Sequence, residues 1–162
     1  MTTTLQQLVD RQEIADLVSR LGRALDEGRF DEMRTLLADD ATVRTPGGEA
    51  AGREGVIAQA RRNHLPEQPI QHLITNLLVD IDGDRAEARA NLVVHFGPID
   101  GGDGTSAPPP ALPAPPVEYS TGEVYRFDFA RIPTGWHFTR IEVTPTWTAG
   151  TPNPIPVPVV AG

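Results

Sequence analysis

The chain has 162 residues, 39% of them hydrophobic, which predicts one folded domain with a single core. It contains no cysteine, and all 14 basic residues are arginine, which excludes disulfides, thiolate chemistry and lysine Schiff bases. A formal net charge of −8 argues against nucleic acid or an anionic membrane as the main partner. Neither a signal peptide nor an apolar run of about 20 residues is recognisable, so we expect a soluble, cytoplasmic protein.

The N-terminal third has the periodicity of helices. Apolar residues recur every three or four positions over residues 5–25, which predicts one amphipathic helix that ends before Gly28. A short helix is expected over residues 30–37, with acidic residues in its first turn, and a short strand over residues 41–45. A third helix is expected over residues 53–64, where prolines close it.

The rest of the chain has the pattern of long strands in two hairpins. Residues 71–81 and 85–96 flank an Asp-Gly-Asp turn, and residues 118–132 and 136–147 flank a Pro-Thr-Gly turn. Helices followed by mostly antiparallel strands predict an α+β fold. Strands of this length usually bend, so we expect a curved sheet wrapped as a cone around the first helix, with a small-molecule pocket at its open mouth.

Two Pro-rich segments stand apart from these elements. We assign residues 1–148 to the folded domain, with a Pro- and Gly-rich insertion at residues 97–116. Long loops are commonly lids or are disordered, so the insertion is expected either to cover the pocket mouth or to be an inert surface loop. Residues 149–162 alternate with proline and predict an extended tail close to polyproline II.

An ordered set of short stretches carries a family resemblance. It comprises residues 8–18, 23–33, 37–43, 52–56 and 71–76, and Gly135-Trp136. Together these are similar to the SnoaL-like domain of the nuclear transport factor 2-like superfamily, on the branch that includes scytalone dehydratase. The resemblance implies a cone-shaped α+β barrel with a deep pocket, usually in a dimer or trimer.

The resemblance also implies catalytic residues. In scytalone dehydratase an aspartate on the first helix orients a histidine, and a second histidine and two tyrosines act with it. Asp26 matches the aspartate and His72 matches the first histidine, while His95 lies one residue away from the second. Leu25 and Leu21 stand where family tyrosines are expected. The acid–base pair is therefore expected without those phenols.

Strand alternation supplies candidates for substrate binding. Positions 72, 74, 76 and 78 mix polar and apolar residues like a pocket wall, whereas positions 73, 75, 77, 79 and 81 form a continuous apolar face. Asn91, where the family often has an aromatic residue, shares a face with His95, which either lines the pocket or meets solvent. We expect substrate contacts from Asn76, Asn91, Tyr119 and Glu123.

Other aromatic and histidine residues receive less weight. Tyr119 or Tyr125 could replace the missing phenols, although Tyr125 also fits packing beneath the helices. His64 and His137 are expected at the surface. Asp26, His72 and His95 could hold a metal, but no HxH or HxxxE spacing supports one, so no metal is predicted.

These observations predict a cofactor-independent acid–base enzyme. It would be a cyclase, dehydratase or isomerase acting on a small, apolar, oxygenated metabolite such as a polyketide or terpenoid intermediate, with an Asp-oriented histidine moving the proton. The alternative is a non-catalytic ligand-binding or accessory subunit with the same fold, which the missing tyrosines favour. We expect a small-molecule substrate and a homodimer formed through the outer sheet face, with a trimer as second choice.

Overall fold

The computed structural model describes residues 4–99 and 117–151. Their elements, in chain order, are α1 (Leu5–Asp26), a 3-10 helix (Phe30–Thr35), β1 (Leu37–Thr45), β2 (Gly48–Ala51), α2 (Arg53–Asn63), β3 (Ile70–Asp82), β4 (Arg85–Phe96), β5 (Tyr119–Ile132) and β6 (Gly135–Gly150). The strands form one sheet in the order β2-β1-β6-β5-β4-β3. All neighbours are antiparallel except β1 and β6. This confirms the expected α+β fold with a curved, mostly antiparallel sheet.

Helix α1 begins and ends where its sequence predicts. The Thr4 side chain accepts a hydrogen bond from the backbone of Gln7, whose side chain bonds back to Thr4, which forms a capping box. The buried stripe of the helix packs on the sheet and includes Ile14, Val18 and Leu21. Gly28, at a φ of 66°, turns the chain just after the helix.

The core and the open part of the cone occupy different lengths of the same strands. Phe127, Phe129 and Phe138 are buried and pack ring against ring, with centroids 4.7 to 6.0 Å apart. Further along β4, Leu92 and Val94 border a cavity instead. The aromatic core therefore closes one end of the cone, and the other end holds free volume.

A β-bulge in β3 corrects the expected alternation. Thr75 pairs with Asn91 and Leu78 pairs with Arg89, so three residue steps on β3 lie opposite two residue steps on β4. Within the bulge Asn76 adopts a φ of 54°, which asparagine tolerates better than most residues. The alternation of inward and outward side chains along β3 is therefore reversed after the bulge. His72 and Ile74 face inward before the bulge, whereas the inward residues after it are Leu77, Val79 and Ile81. The predicted continuous face is wrong, since Leu73 and Thr75 face outward.

Smaller differences concern the second helix and the Pro-rich segments. The second helix is a 3-10 helix that ends at Thr35, and β1 begins at Leu37, four residues earlier than expected. Strand β2 was not expected from the sequence. The predicted insertion and tail fall largely outside the described residues, although β6 continues to Gly150. None of the helices in the described ranges is long and apolar enough to cross a membrane.

Candidate active site

A cavity of about 220 Å³ lies between the helices and the inner face of the sheet. Helices α1 and α2, the β1–β2 turn and strands β3 to β6 all contribute to its wall. Most of the wall is apolar, with side chains such as Leu21, Leu25, Met33, Leu92, Val94 and Val143. Polar side chains are the minority of the wall, as is usual for pockets that bind small molecules.

Asp26 and His72 form a hydrogen-bonded pair at the wall of this cavity. Asp26 Oδ1 lies 2.6 Å from His72 Nδ1 and accepts a second hydrogen bond, of 2.8 Å, from the His72 backbone N–H. Gly22 lies one turn before Asp26 on α1, and a Cβ there would come within 3.2 Å of Ile74. The missing side chain lets α1 approach β3 closely, which brings the carboxylate to the imidazole.

This pairing defines the orientation of the His72 ring. A carboxylate oxygen only accepts, so Nδ1 carries the proton and the neutral ring keeps a lone pair on Nε2. Nε2 makes no hydrogen bond with any residue in the described ranges. The side chain of His72 is 6% exposed and that of Asp26 is 24% exposed, so the carboxylate remains in partial contact with solvent in a cleft outside the cavity. The ring can therefore accept a proton at Nε2 while Asp26 stabilises the resulting cation.

His64 is a cavity residue that sequence reasoning placed at the surface. Its ring stacks on that of His72 with centroids 5.5 Å apart, and its Nδ1 lies 2.7 Å from the carbonyl oxygen of Ala60. That carbonyl must accept, so His64 Nε2 is unprotonated in the neutral ring. Burial lowers the pKa of His64 to about 4. Its position after α2 carried no sequence signal, because its neighbour His72 is reached only through the fold.

Strand β5 contributes further polar groups. Tyr119, Thr121, Glu123 and Tyr125 alternate along its inner face and all line the cavity, whereas the sequence pattern predicted substrate contacts only for Tyr119 and Glu123. Burial raises the pKa of Glu123, which favours the neutral acid. Thr121 Oγ lies near this carboxyl but outside ordinary hydrogen-bond geometry, and the nearby His72 also opposes the rise, so burial has the deciding weight. Burial likewise raises the pKa of Tyr125 and keeps its phenol protonated.

The remaining predicted site residues lie elsewhere. Asn76 occupies the β3 bulge and borders the outer cleft with α1, where its backbone conformation explains its identity. Asn91 and His95 alternate with the cavity residues Leu92 and Val94 and so face the opposite side of the sheet. There His95 Nδ1 lies 2.8 Å from Ser120 Oγ on the neighbouring strand. The expectation that these three side chains line the pocket is therefore corrected.

Two further features concern His137 and the grouping of side chains that could hold a metal ion. His137 lies on β6, half-buried, with Nε2 3.0 Å from the hydroxyl of Thr134 in the adjoining turn. Burial lowers the pKa of His137. Among residues 4–99 and 117–151, no three His, Cys, Asp or Glu side chains are grouped so that they could hold a metal ion.

A cone of this kind, with an Asp–His pair at the wall of an apolar cavity, places the chain in a class of small α+β barrels. The sequence matches the SnoaL-like domain family over residues 6–142, and the chain belongs to that family. The uncharacterized protein Rv2910c of Mycobacterium tuberculosis is 30% identical over 141 residues, which span 85% of this chain and 86% of that protein.

Solved structures share the nuclear transport factor 2-like fold. A hexachlorocyclohexane dehydrochlorinase, LinA type 2, superposes with a TM-score of 0.75 at 18% identity, covering 98% of this chain and all of that one (100%). A scytalone dehydratase-like protein from Novosphingobium aromaticivorans superposes with a TM-score of 0.70 at 18% identity, covering 96% of each chain. At these identities the likeness establishes the fold alone.

Proposed function

We propose that the protein is a cofactor-independent acid–base enzyme of the cyclase, dehydratase or isomerase type. The observation that carries this proposal is the 2.6 Å contact between Asp26 Oδ1 and His72 Nδ1, which leaves Nε2 of a nearly buried ring free at the cavity wall. An oriented imidazole is suited to removing a proton from carbon or oxygen near neutral pH. Similarity to a dehydrochlorinase and to a scytalone dehydratase-like protein is compatible with such chemistry.

The proton that His72 removes requires a partner that supplies one. Glu123 lies on the same inner face as His72 with β4 between them and two residues further along, and strand spacing and rise put their Cα atoms about 12 Å apart. A small substrate between them would give a proton to His72 Nε2 and receive one from Glu123, Tyr119 or Tyr125. In a dehydration, that second proton leaves with the departing hydroxyl as water. In an isomerisation, it returns to another carbon or oxygen.

The chemistry of the wall favours a neutral, oxygenated substrate. No arginine is among the described residues that line the cavity, and the chain has no lysine. Residues 100–116 contain no basic side chain either. A carboxylate or phosphate would therefore enter the cavity without an arginine or lysine counter-charge, which is unfavourable. Apolar side chains and a few hydroxyl groups suit a small ring compound with oxygen substituents.

Base catalysis can be tested before the natural substrate is known. 5-Nitrobenzisoxazole opens when a base removes its ring C3 proton: the C–H electrons form the nitrile, the N–O bond breaks, and a coloured phenolate is released. We expect the purified protein to accelerate this reaction, and His72→Gln to lose about 100-fold or more of that acceleration, the usual contribution of a positioned base.

The matched control is a second histidine on the same sheet. His95→Gln changes a residue whose hydrogen bond is to Ser120, on the face away from the cavity, so the rate should stay at the wild-type level. Equal rates for the wild-type protein and His72→Gln would overturn the assignment of the base. Tight binding of ring compounds without any proton transfer would favour the alternative, a non-catalytic ligand-binding subunit.

A further inference from the structure

Gln59 is the most deeply buried polar side chain of the cavity wall. It projects from α2, is 2% exposed, and lies against the β1–β2 turn. Its Nε2 is 2.7 Å from the carbonyl oxygen of Gly48 and 3.2 Å from Thr45 Oγ1. Because the Gly48 carbonyl can only accept, the atom facing it must be the amide nitrogen, which fixes the orientation of the whole amide group.

This orientation leaves the Gln59 carbonyl oxygen without a donor. Oε1 is buried, and no described residue donates a hydrogen bond to it. Burying an acceptor without a partner is costly, so an acceptor that no side chain or backbone group satisfies takes its hydrogen bond from a ligand or an ordered water. The Gly48 and Thr45 contacts prevent the amide from turning over to relieve the cost.

The position of Gln59 separates it from the proton-transfer groups. Gln59 and His64 are five positions apart at the end of α2, and the helical rise puts them about 7.5 Å apart along its axis. His64 in turn stacks on His72, with 5.5 Å between ring centroids. The cavity wall thus carries the polar side chains of Thr45, Gln59 and Asn63 at the β1–β2 turn, and the proton-transfer cluster lies near β3.

We propose that Gln59 Oε1 is a specificity-determining acceptor that binds a hydroxyl group of the substrate, away from the atom that reacts at His72. The inference rests on the proposed function and defines its substrate class more closely. An engineered apolar cavity of about 150 Å³ holds benzene, so a cavity of about 220 Å³ has room for one substituted ring. The substrate class is therefore a neutral, one-ring alcohol or phenol whose hydroxyl meets Gln59.

The test compares phenol with toluene, which has nearly the same shape and no donor. Dissociation constants of both would be measured by ligand-observed NMR on the wild-type protein and on Gln59→Met. Toluene is the more hydrophobic compound, so the informative quantity is the change in the ratio of the two constants. We expect Gln59→Met to weaken phenol relative to toluene about fivefold or more, the scale of one hydrogen bond in a buried site.

A histidine variant identifies where the hydroxyl binds. If His72→Gln changes the ratio and Gln59→Met does not, the hydroxyl meets the base instead and the inference is overturned. An unchanged ratio in both variants, or failure of the wild-type protein to bind either compound, also overturns it. The 5-nitrobenzisoxazole assay judges the proposed function independently, because that probe has no hydroxyl donor and reports only proton removal by His72.

Gln59→Met also loses the two bonds from Nε2, so a measurement that needs no variant accompanies it. The anomalous signal of bromine would locate 4-bromophenol in crystals of the wild-type protein. The expected pose has the phenolic oxygen within hydrogen-bond distance of Gln59 Oε1 and the bromine towards His72. A pose with the oxygen on His72 or Glu123, or with no bound compound in the cavity, would contradict the inference.

Discussion

Helix α1 carries two aspartates that face inward at opposite ends, and their partners differ in kind. Asp10 accepts hydrogen bonds from Gln6, Arg131 and Trp136, at 2.7 to 3.3 Å. Burial raises the pKa of Asp10, but these donors together lower it below its usual value. Asp26 binds only His72 among the described residues, through the ring and the backbone.

The difference shows how the same side chain serves structure at one place and chemistry at another. Arginine, glutamine and tryptophan donors do not release their protons near neutral pH, so the Asp10 cluster has one stable protonation state. The imidazole on Asp26 has a free nitrogen at the cavity wall and can change its protonation state. We therefore expect changes at Asp10 to alter stability and changes at Asp26 to alter catalysis.

The largest expected effect is on catalysis at Asp26. Asp26→Asn should lower the rate of proton removal by roughly 10²- to 10⁴-fold, because an amide can hold the wrong tautomer of His72 and does not stabilise the imidazolium. The free energy of unfolding should change by no more than about 1 kcal/mol, since Asn can still accept the backbone bond. Rates on 5-nitrobenzisoxazole and urea unfolding measure the two quantities. A full rate with a large loss of stability would reverse the comparison.

The second prediction concerns Asp10. Asp10→Asn should lower the free energy of unfolding by about 2–3 kcal/mol, because it removes the buried counter-charge of the Arg131 guanidinium and leaves only the exposed Asp84 carboxylate beside it. The guanidinium also lies over the Trp136 ring, 4.6 Å from its centroid, so the indole should become less ordered. Urea unfolding followed by tryptophan fluorescence measures the loss. The folded variant should retain the wild-type rate, and a large fall in rate would show that the aromatic core and the cavity are coupled.

A third prediction tests whether the cavity end is the one that responds to acid. The folded-state pKa of His64 is about 4, below the usual 6.5. Between these two pH values the unfolded chain binds a proton at His64 and the folded protein does not. Its contribution to stability is complete above pH 6.5 and is lost as the pH falls towards 4, by up to about 3 kcal/mol. Urea unfolding of the wild-type protein and of His64→Phe, which keeps an aromatic ring, would be compared at pH 7 and pH 4.5. Parallel losses in both proteins would exclude His64 as the cause.

Local patterns predicted the elements of the fold and one half of the site. The period of α1 and the two hairpin turns predicted the elements, and the alternation along β5 put Tyr119 and Glu123 on one face, because helix and strand periodicities follow from backbone geometry. Asp26 and His72 came from the family resemblance, since 46 positions separate them in the chain. The contact itself depends on the close approach of α1 and β3.

The errors have specific causes. Regular alternation does not predict the bulge at Asn76, which reverses the inward and outward faces of β3. Asn76 was expected to contact substrate, but its identity is explained by the positive φ of the bulge. Matching His95 to a family histidine required a shift of one residue, and in a strand one residue is the difference between the two faces. His64 could not be found because its stacking on His72 depends on how α2 meets β3.

The last prediction extends the comparison to the two faces of the sheet. Leu73, Val93, Gly122 and Trp147 are consecutive register partners across β3 to β6 on the outer face. The indole of Trp147 lies on Gly122, where a Cβ would come within 1.9 Å of it, and the residue is 49% exposed. We propose that this row pairs with a second copy of the chain, because an exposed row of apolar groups gains stability by leaving water.

Light scattering at micromolar concentration should then give about twice 17.5 kDa for the wild-type protein. Trp147→Glu would put a charge into the contact and should return the mass to 17.5 kDa. Ile132→Glu is the matched control, because Ile132 is also exposed, at 43%, but ends β5 at the turn into β6, at the opposite end of that hairpin from Trp147. Proton removal by His72 should change least of all in Trp147→Glu, since the outer row does not line the cavity. A mass of 17.5 kDa for the wild-type protein would contradict the pairing. A large loss of rate on dissociation would instead show that the second copy is needed to hold the cavity in its active shape.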